Sequence, residues 1–200
     1  MARIAPLRIE DVDAPDIKDR FEHYRNTRGF TPHSIMTMVR RPNLVRAFMA
    51  LKQAVLYEGT VSEELKMLVS LIASQASGCT YCQAHMANLS SIYSASDSKI
   101  QAVWSFQTSE LFSDAERAAL TLAYHSALVP NEATDADFER LRQHFDDGQI
   151  VEIVATISLF GYLNRWNDTV ATELEEHAID VAERSLTAVG WALGKHAAST

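Results

Sequence analysis

Glycine and proline are scarce, seven and five in 200 residues. That scarcity excludes a loop-rich or all-β chain and favours long helices. Cysteine is scarcer still, with two in the whole sequence, too few for a disulfide framework. Positive charge is also short. Eighteen Lys and Arg face 26 Asp and Glu, for a net charge of −8, and no basic run stands out. Such a chain presents the wrong field to a phosphate backbone, so no nucleic-acid partner is expected. Long apolar runs are missing too. The longest, "MLVSLIA" at Met67, is far short of a bilayer span, and the opening "MARIAPLRIEDVDAPD" lacks the apolar core of a secretory signal. These absences predict a soluble, cytoplasmic protein with no membrane partner. In that compartment a Cys-x-x-Cys pair points to redox chemistry or metal rather than to a structural disulfide.

What remains is helix. Hydrophobic residues make up 47% of the chain, enough for a sizeable core, and nearly every segment repeats at helical period. "PDIKDRFEHYRNTRG" has Pro15 in its first turn and Gly29 as its stop; "RPNLVRAFMALKQAVLYEG" repeats that grammar from Pro42 to Gly59. Ser62 is a candidate N-cap for "EELKMLVSLIASQASG", which ends at Gly78, and a new helix begins near Cys79. Asp97 is placed as the cap of "SKIQAVWSFQ". "SDAE" at Ser113 and "TDAD" at Thr134 have the capping-box form. A long helix follows Gly148, and a last one is expected from roughly Ala171 to Leu193. The prediction is an all-α chain of about nine helices, with an N-terminal arm over residues 1–15 and one helical domain over 16–200.

Both cysteines fall within "SGCTYCQAH". Residues three apart on a helix are surface neighbours, so Cys79 and Cys82 can approach one another. A helix start just after Gly78 favours thiolate through its free amides and dipole. His85 lies one turn beyond Cys82 and is a candidate proton acceptor or donor; Tyr81 supplies a hydroxyl. Spacing alone leaves open which cysteine attacks. A structural zinc site wants four ligands, and only three local candidates are present, so no metal and no cofactor are expected. His23, His33, His125, His144, His177 and His196 are scattered singly and read as surface or packing residues. Glu152 reads first as a first-turn glutamate and second as a buried acid facing the site. The cluster Asn164, Arg165, Trp166, Asn167 and Asp168 reads as cleft or interface lining, with Arg165 and Asp168 spaced to pair.

"SGCTYCQAH" at the end of an apolar helix resembles the carboxymuconolactone decarboxylase-like superfamily, and specifically its alkylhydroperoxidase AhpD-like branch. The resemblance is strongest over residues 61–93 and extends through "DAERAALTLAYHSALVPN" and "IVEIVATISLFGYLNRWNDT" to residue 168. It implies an AhpD-like helical bundle that forms a homo-oligomer. It also implies a cofactor-free reaction in which one cysteine reduces a hydroperoxide and the other resolves the sulfenic acid as a disulfide, restored by a dithiol or thioredoxin-like donor. By this analogy Cys82 attacks, Cys79 resolves, and His85 and Glu64 relay the proton, with Tyr81, Met86 and Glu152 as possible lining. Two positions depart from the family pattern. The family histidine falls four residues after the second cysteine, where this chain has Met86. The family glutamate falls twelve residues before the first cysteine, where it has Met67. Glu64, one turn earlier, is the nearest acid on a similar face. Two other functions stay in view: a decarboxylase or lactone-processing enzyme, against which the Cys pair counts, and a non-catalytic redox-sensing oligomer.

Overall fold

The computed structural model describes residues 2–93 and 95–198. Among these there are ten α-helices, four short 3-10 turns and no strand. The helices are α1 (Pro15–Arg28), α2 (His33–Met38), α3 (Pro42–Tyr57), α4 (Glu63–Ala76), α5 (Thr80–Ile92), α6 (Asp97–Gln101), α7 (Asp114–Ala127), α8 (Asp135–Leu141), α9 (Asp147–Val170) and α10 (Glu176–Leu186). The all-α expectation holds. The six-residue α2 had no signal of its own in the periodicity, being too short to display one.

Most boundaries sit where the sequence chemistry puts them. Pro15 and Pro42 open α1 and α3, positions where a missing N–H costs nothing. The Ser62 side chain accepts from Leu65 N at the start of α4, and Ser113 with Glu116 closes a capping box on α7. At α6 the cap is Ser96, with Asp97 inside the first turn. The last expected helix is corrected more substantially. Helix α9 ends at Ala171 in a left-handed conformation, an extended stretch follows, and α10 spans only Glu176–Leu186. Helical periodicity does not register a break that local side-chain hydrogen bonds impose.

Helix α4 is the centre of the bundle. It packs on α5, α7, α9 and α3, and every residue from Leu65 to Ser74 is buried. Two buried serines stay satisfied because Ser70 Oγ donates to Lys66 O and Ser74 Oγ donates to Ser70 O, back-bonds available only to short hydroxyl side chains. The chain reverses between α4 and α5 at Gly78, whose φ of 72° is open to glycine without strain. Helix α5 then runs back along α4, with α9 and α10 on its other sides.

Lys66 is 1% exposed, an expensive place for an ammonium. Its Nζ reaches Glu152 Oε2 at 3.0 Å and donates to Glu58 O. The Glu152 carboxylate also accepts from the backbone amides of Thr60 and Val61. A Cβ at Gly59 would fall 2.3 Å from Glu152 Oε2, so this loop needs a glycine to wrap the acid. Glu152 is therefore neither a dipole residue nor site lining; it ties the α3–α4 loop and α4 to α9. Burial pushes its carboxyl up, but the Thr60 and Val61 amides and the Lys66 ammonium outweigh that and hold it at about 2.

Because this pKa lies below the ordinary carboxyl value of 4.5, the stability it contributes is complete above that value and is lost as pH falls toward 2. Glu152→Ala should cost about 3–5 kcal/mol in urea unfolding at neutral pH, since Lys66 keeps its burial and loses its counter-charge. Glu152→Gln should flatten the acid limb of the stability–pH curve.

Candidate functional site

Cys79 is the N-cap of α5, and its Sγ accepts from the amide of Cys82 at 3.5 Å. Cys82 sits in the first turn of α5. Its Sγ accepts from Asn167 Nδ2 at 3.3 Å. Asn167 is held in that orientation because its Oδ1 accepts from Thr172 Oγ1 at 2.8 Å. Both cysteines are buried free thiols. Burial pushes the Cys82 thiol well above its usual range, neighbouring Cys79 adds to the rise, and the Asn167 hydrogen bond opposes it. At neutral pH Cys82 carries its proton and needs a base to lose it.

Such a base lies one turn along α5. His85 lines the same cavity as Cys82, and its Nε2 lies 2.7 Å from Glu175 Oε2. Glu175 precedes α10. Its other oxygen accepts from Tyr81 Oη at 3.1 Å and from the His33 amide. Tyr81 Oη accepts in turn from Ser34 N at 3.2 Å. Burial would raise the Glu175 carboxyl, but the electrostatic attraction and hydrogen bond of His85, with help from His33, hold it below the ordinary carboxylate range. The Tyr81 hydroxyl goes the other way, pushed well up by burial and by the Glu175 charge. The His85 ring packs on Tyr81, centroids 4.5 Å apart, and on Phe30 at 5.5 Å. Its position is thus fixed by stacking and by one charged partner.

The cavity beside these groups measures about 60 Å³ and is lined largely by apolar side chains, among them Phe48, Met86, Phe160 and Leu163. That is room for a few water molecules. Of the residues expected at the site, Cys79, Cys82, His85, Tyr81 and Met86 come together. Glu64 does not join them. Its Oε1 lies 2.7 Å from Lys99 Nζ, which also holds Glu116, so Glu64 belongs to a charge cluster linking α4, α6 and α7. The carboxylate that meets His85 is Glu175.

Reading the sequence missed Glu175 and also the roles within the cluster after the apolar run of α9. Asn167 bonds Cys82, and Trp166 Nε1 donates to Thr37 Oγ1. Asp168 pairs with Lys195 at 2.9 Å rather than with Arg165, which donates to Gly161 O. His196 was read as a packing or surface residue. It is fully buried, with Nδ1 2.6 Å from Thr172 O, and it lies in the one group of His, Cys and acid side chains among the described residues close enough to share a metal ion: Cys79, Asp168 and His196.

Known proteins bear on this geometry. The model of the carboxymuconolactone decarboxylase family matches residues 42–125, which take in both thiols, His85, helices α3 to α6 and most of α7. The chain belongs to the carboxymuconolactone decarboxylase family. The debrominase Bmp8 has the same fold, with a TM-score of 0.83 and 30% identity, over 90% of this chain and 96% of that one. A cysteine-to-alanine variant of Bmp8, in complex with 2,3,4-tribromopyrrole, matches at 0.82. The alkylhydroperoxidase AhpD core of a peroxidase-related protein from Ralstonia eutropha JMP134 matches at 0.74 over 88% of this chain and 94% of that one, with 24% identity, a likeness of fold. The uncharacterized protein YnjA of Escherichia coli (strain K12) is 32% identical over 106 residues, 53% of this chain and 58% of that protein.

Glu175 holds three donors in a buried setting. Glu175→Ala should cost about 3–5 kcal/mol, because Tyr81, His85 and the His33 amide lose their acceptor together. Tyr81→Phe removes one neutral donor and should cost about 1 kcal/mol. Urea midpoints at pH 7 with unchanged slope check both.

Proposed function

We propose that this chain is a cofactor-free dithiol oxidoreductase that reduces hydroperoxides. The observation that carries this reading is the pair of free thiols with Cys82 and His85 on one apolar cavity and Glu175 behind the histidine. In the first step His85 takes the Cys82 proton and the sulfur attacks the peroxide. The O–O bond breaks, Cys82 becomes sulfenic acid, and the proton passes to the departing alkoxide, giving an alcohol. In the second step the Cys79 sulfur attacks Cys82, forming the disulfide and releasing water. A dithiol donor, such as a thioredoxin-like protein, then returns two electrons and two protons. Glu175 takes the relay role that the family resemblance assigned to Glu64.

A second reading is reductive removal of bromine from a small ring, favoured by the similarity to Bmp8 over nearly its whole length. The same two thiols would supply the two electrons, leaving a disulfide, bromide and a C–H bond. The cavity size favours the peroxide, since about 60 Å³ is far below the roughly 300 Å³ of pockets that enclose larger ligands.

Turnover of an organic hydroperoxide with a dithiol donor, run beside a bromopyrrole, separates the two. Cys82→Ser should abolish turnover, and His85→Ala should slow it by about 10²–10⁴-fold. Glu175→Gln should move it in the same direction, and Glu64→Gln should leave it within about tenfold. Turnover of neither substrate, or a His85→Ala enzyme equal to wild type, rejects the reading.

We also propose that the protein is a homo-oligomer. An open groove of about 1550 Å³ runs between the end of α7 and α9, and Val129, Val154 and Tyr162 line it at 82%, 38% and 39% exposure. Apolar faces of this kind are normally covered. Light scattering at micromolar concentration should give a mass above 22.3 kDa; the monomer mass alone would reject the proposal.

A further inference from the structure

Two buried acceptor atoms face one another behind the thiol pair. His196 Nδ1 lies 2.6 Å from Thr172 O. A carbonyl only accepts, so Nδ1 carries the proton, and in the neutral ring the Nε2 lone pair is free. Nε2 points to Asp168 Oδ1 at 3.4 Å. Neither atom has a hydrogen-bond partner, although both are buried. Leaving such groups unmatched is costly and calls for an explanation. Cys79 Sγ is the third member, and the three atoms lie within 4.8 Å of one another.

We propose that Cys79, Asp168 and His196 form a binding site for Zn²⁺, with the fourth position open. Two ligands about 2.1 Å from one zinc ion at the tetrahedral angle lie about 3.4 Å apart, which is the separation of Nε2 and Oδ1. One thiolate, one imidazole and one carboxylate form a donor set that suits zinc's borderline character. Each ligand has a support behind it. Thr172 O fixes the histidine tautomer, the arrangement that orients metal-bound imidazoles. Lys195 Nζ bonds Asp168 Oδ2 at 2.9 Å, turning Oδ1 inward, although its charge opposes that of the ion. Cys79 caps α5, and the Cys82 amide donates to its sulfur, which fixes where that sulfur sits. Asp168 also borders the open groove at α9, which gives an ion a way in. Binding displaces the Cys79 proton, so one proton leaves for each ion bound.

A consequence rests on the dithiol reading. Cys79 Sγ cannot ligate zinc and form a disulfide with Cys82 at once. Zinc would therefore hold the reduced state and stop the resolving step, and oxidation of the pair would release the ion.

Cobalt(II) tests the site without reference to turnover. Reduced, metal-free protein titrated with Co²⁺ should bind one equivalent, with a thiolate-to-cobalt charge-transfer band and the visible bands of a tetrahedral ion, and zinc should displace it. Cys79→Ser should remove the charge-transfer band. Asp168→Asn and His196→Ala should each weaken cobalt binding by at least about tenfold, while Cys82→Ser keeps the band. Asp168→Asn also protects the test against misfolding. Its amide can donate to the Nε2 lone pair, so that variant should stay folded by circular dichroism and still show the weakened binding. No cobalt band in the wild type overturns the proposal. So does a band that is lost with Cys82→Ser and kept with His196→Ala, which would mean chelation by the Cys pair alone. Peroxide turnover is measured separately in the presence of chelator, so failure of the dithiol reading leaves the cobalt result standing.

Discussion

The candidate site depends on one buried carboxylate. Glu175 is 8% exposed and accepts from Tyr81 and His85 of α5 and from the His33 amide at the head of α2. An acid so placed is tolerable only if positive charge and donors surround it. The requirement runs both ways. Glu175 fixes the rings of Tyr81 and His85, and those donors fix the stretch between α9 and α10. That stretch then brings Thr172 to Asn167, the partner of the Cys82 sulfur, and to His196. A single acid thereby couples the C-terminal part of the chain to the first turn of α5.

The bundle separates its two kinds of buried polarity. The Lys66–Glu152 pair and the Lys99 cluster with Glu64 and Glu116 brace helices and take no part in the contacts of the thiols. Around the thiols the hydrogen bonds come from the Cys82 and Asn167 amides, with the Asp168 carboxylate and the His196 ring near Cys79. A sulfur beside a lysine would be held as thiolate. Cys82 instead meets the Asn167 amide in an apolar setting and stays protonated, which suits a thiol that reacts only when a base assists it.

The fold was legible because its signals are local. Prolines at helix starts, serine caps and the glycines after α1, α3 and α4 act within a few residues, and they placed α1, α3, α4, α5 and α7. The thiols and His85 were legible for the same reason, lying within seven consecutive residues. Glu175 and His196 were not. They sit 90 and 117 positions beyond His85 and Cys79 in the chain, and nothing near either marks it as a partner; "ELEEH" reads as an ordinary acidic helix start, and a lone histidine near "GKHAAS" reads as surface. Asn167 and Asp168 were singled out as unusual, but their partners follow only from the turn at Ala171, which reverses the chain and which periodicity cannot reveal.

The two departures from the family pattern are best understood as one change. Met67, in the slot of the family glutamate, is fully buried in α4, so no acid arrives from that side. Met86, in the slot of the family histidine, lines the cavity as an apolar wall. One residue earlier on a helix turns a side chain by about 100°, and His85 in that position meets Glu175 from the C-terminal side of the site. A histidine shifted without a new acid would be buried beside an apolar helix with its Nε2 unmatched. A new acid at position 175 without the shift would be buried without its imidazole donor. Each alone carries the penalty of an unpaired buried group, and together they cancel it. The paired arrangement leaves Cys82 and His85 on one cavity wall, one helical turn apart, with the carboxylate behind the imidazole rather than between it and the sulfur.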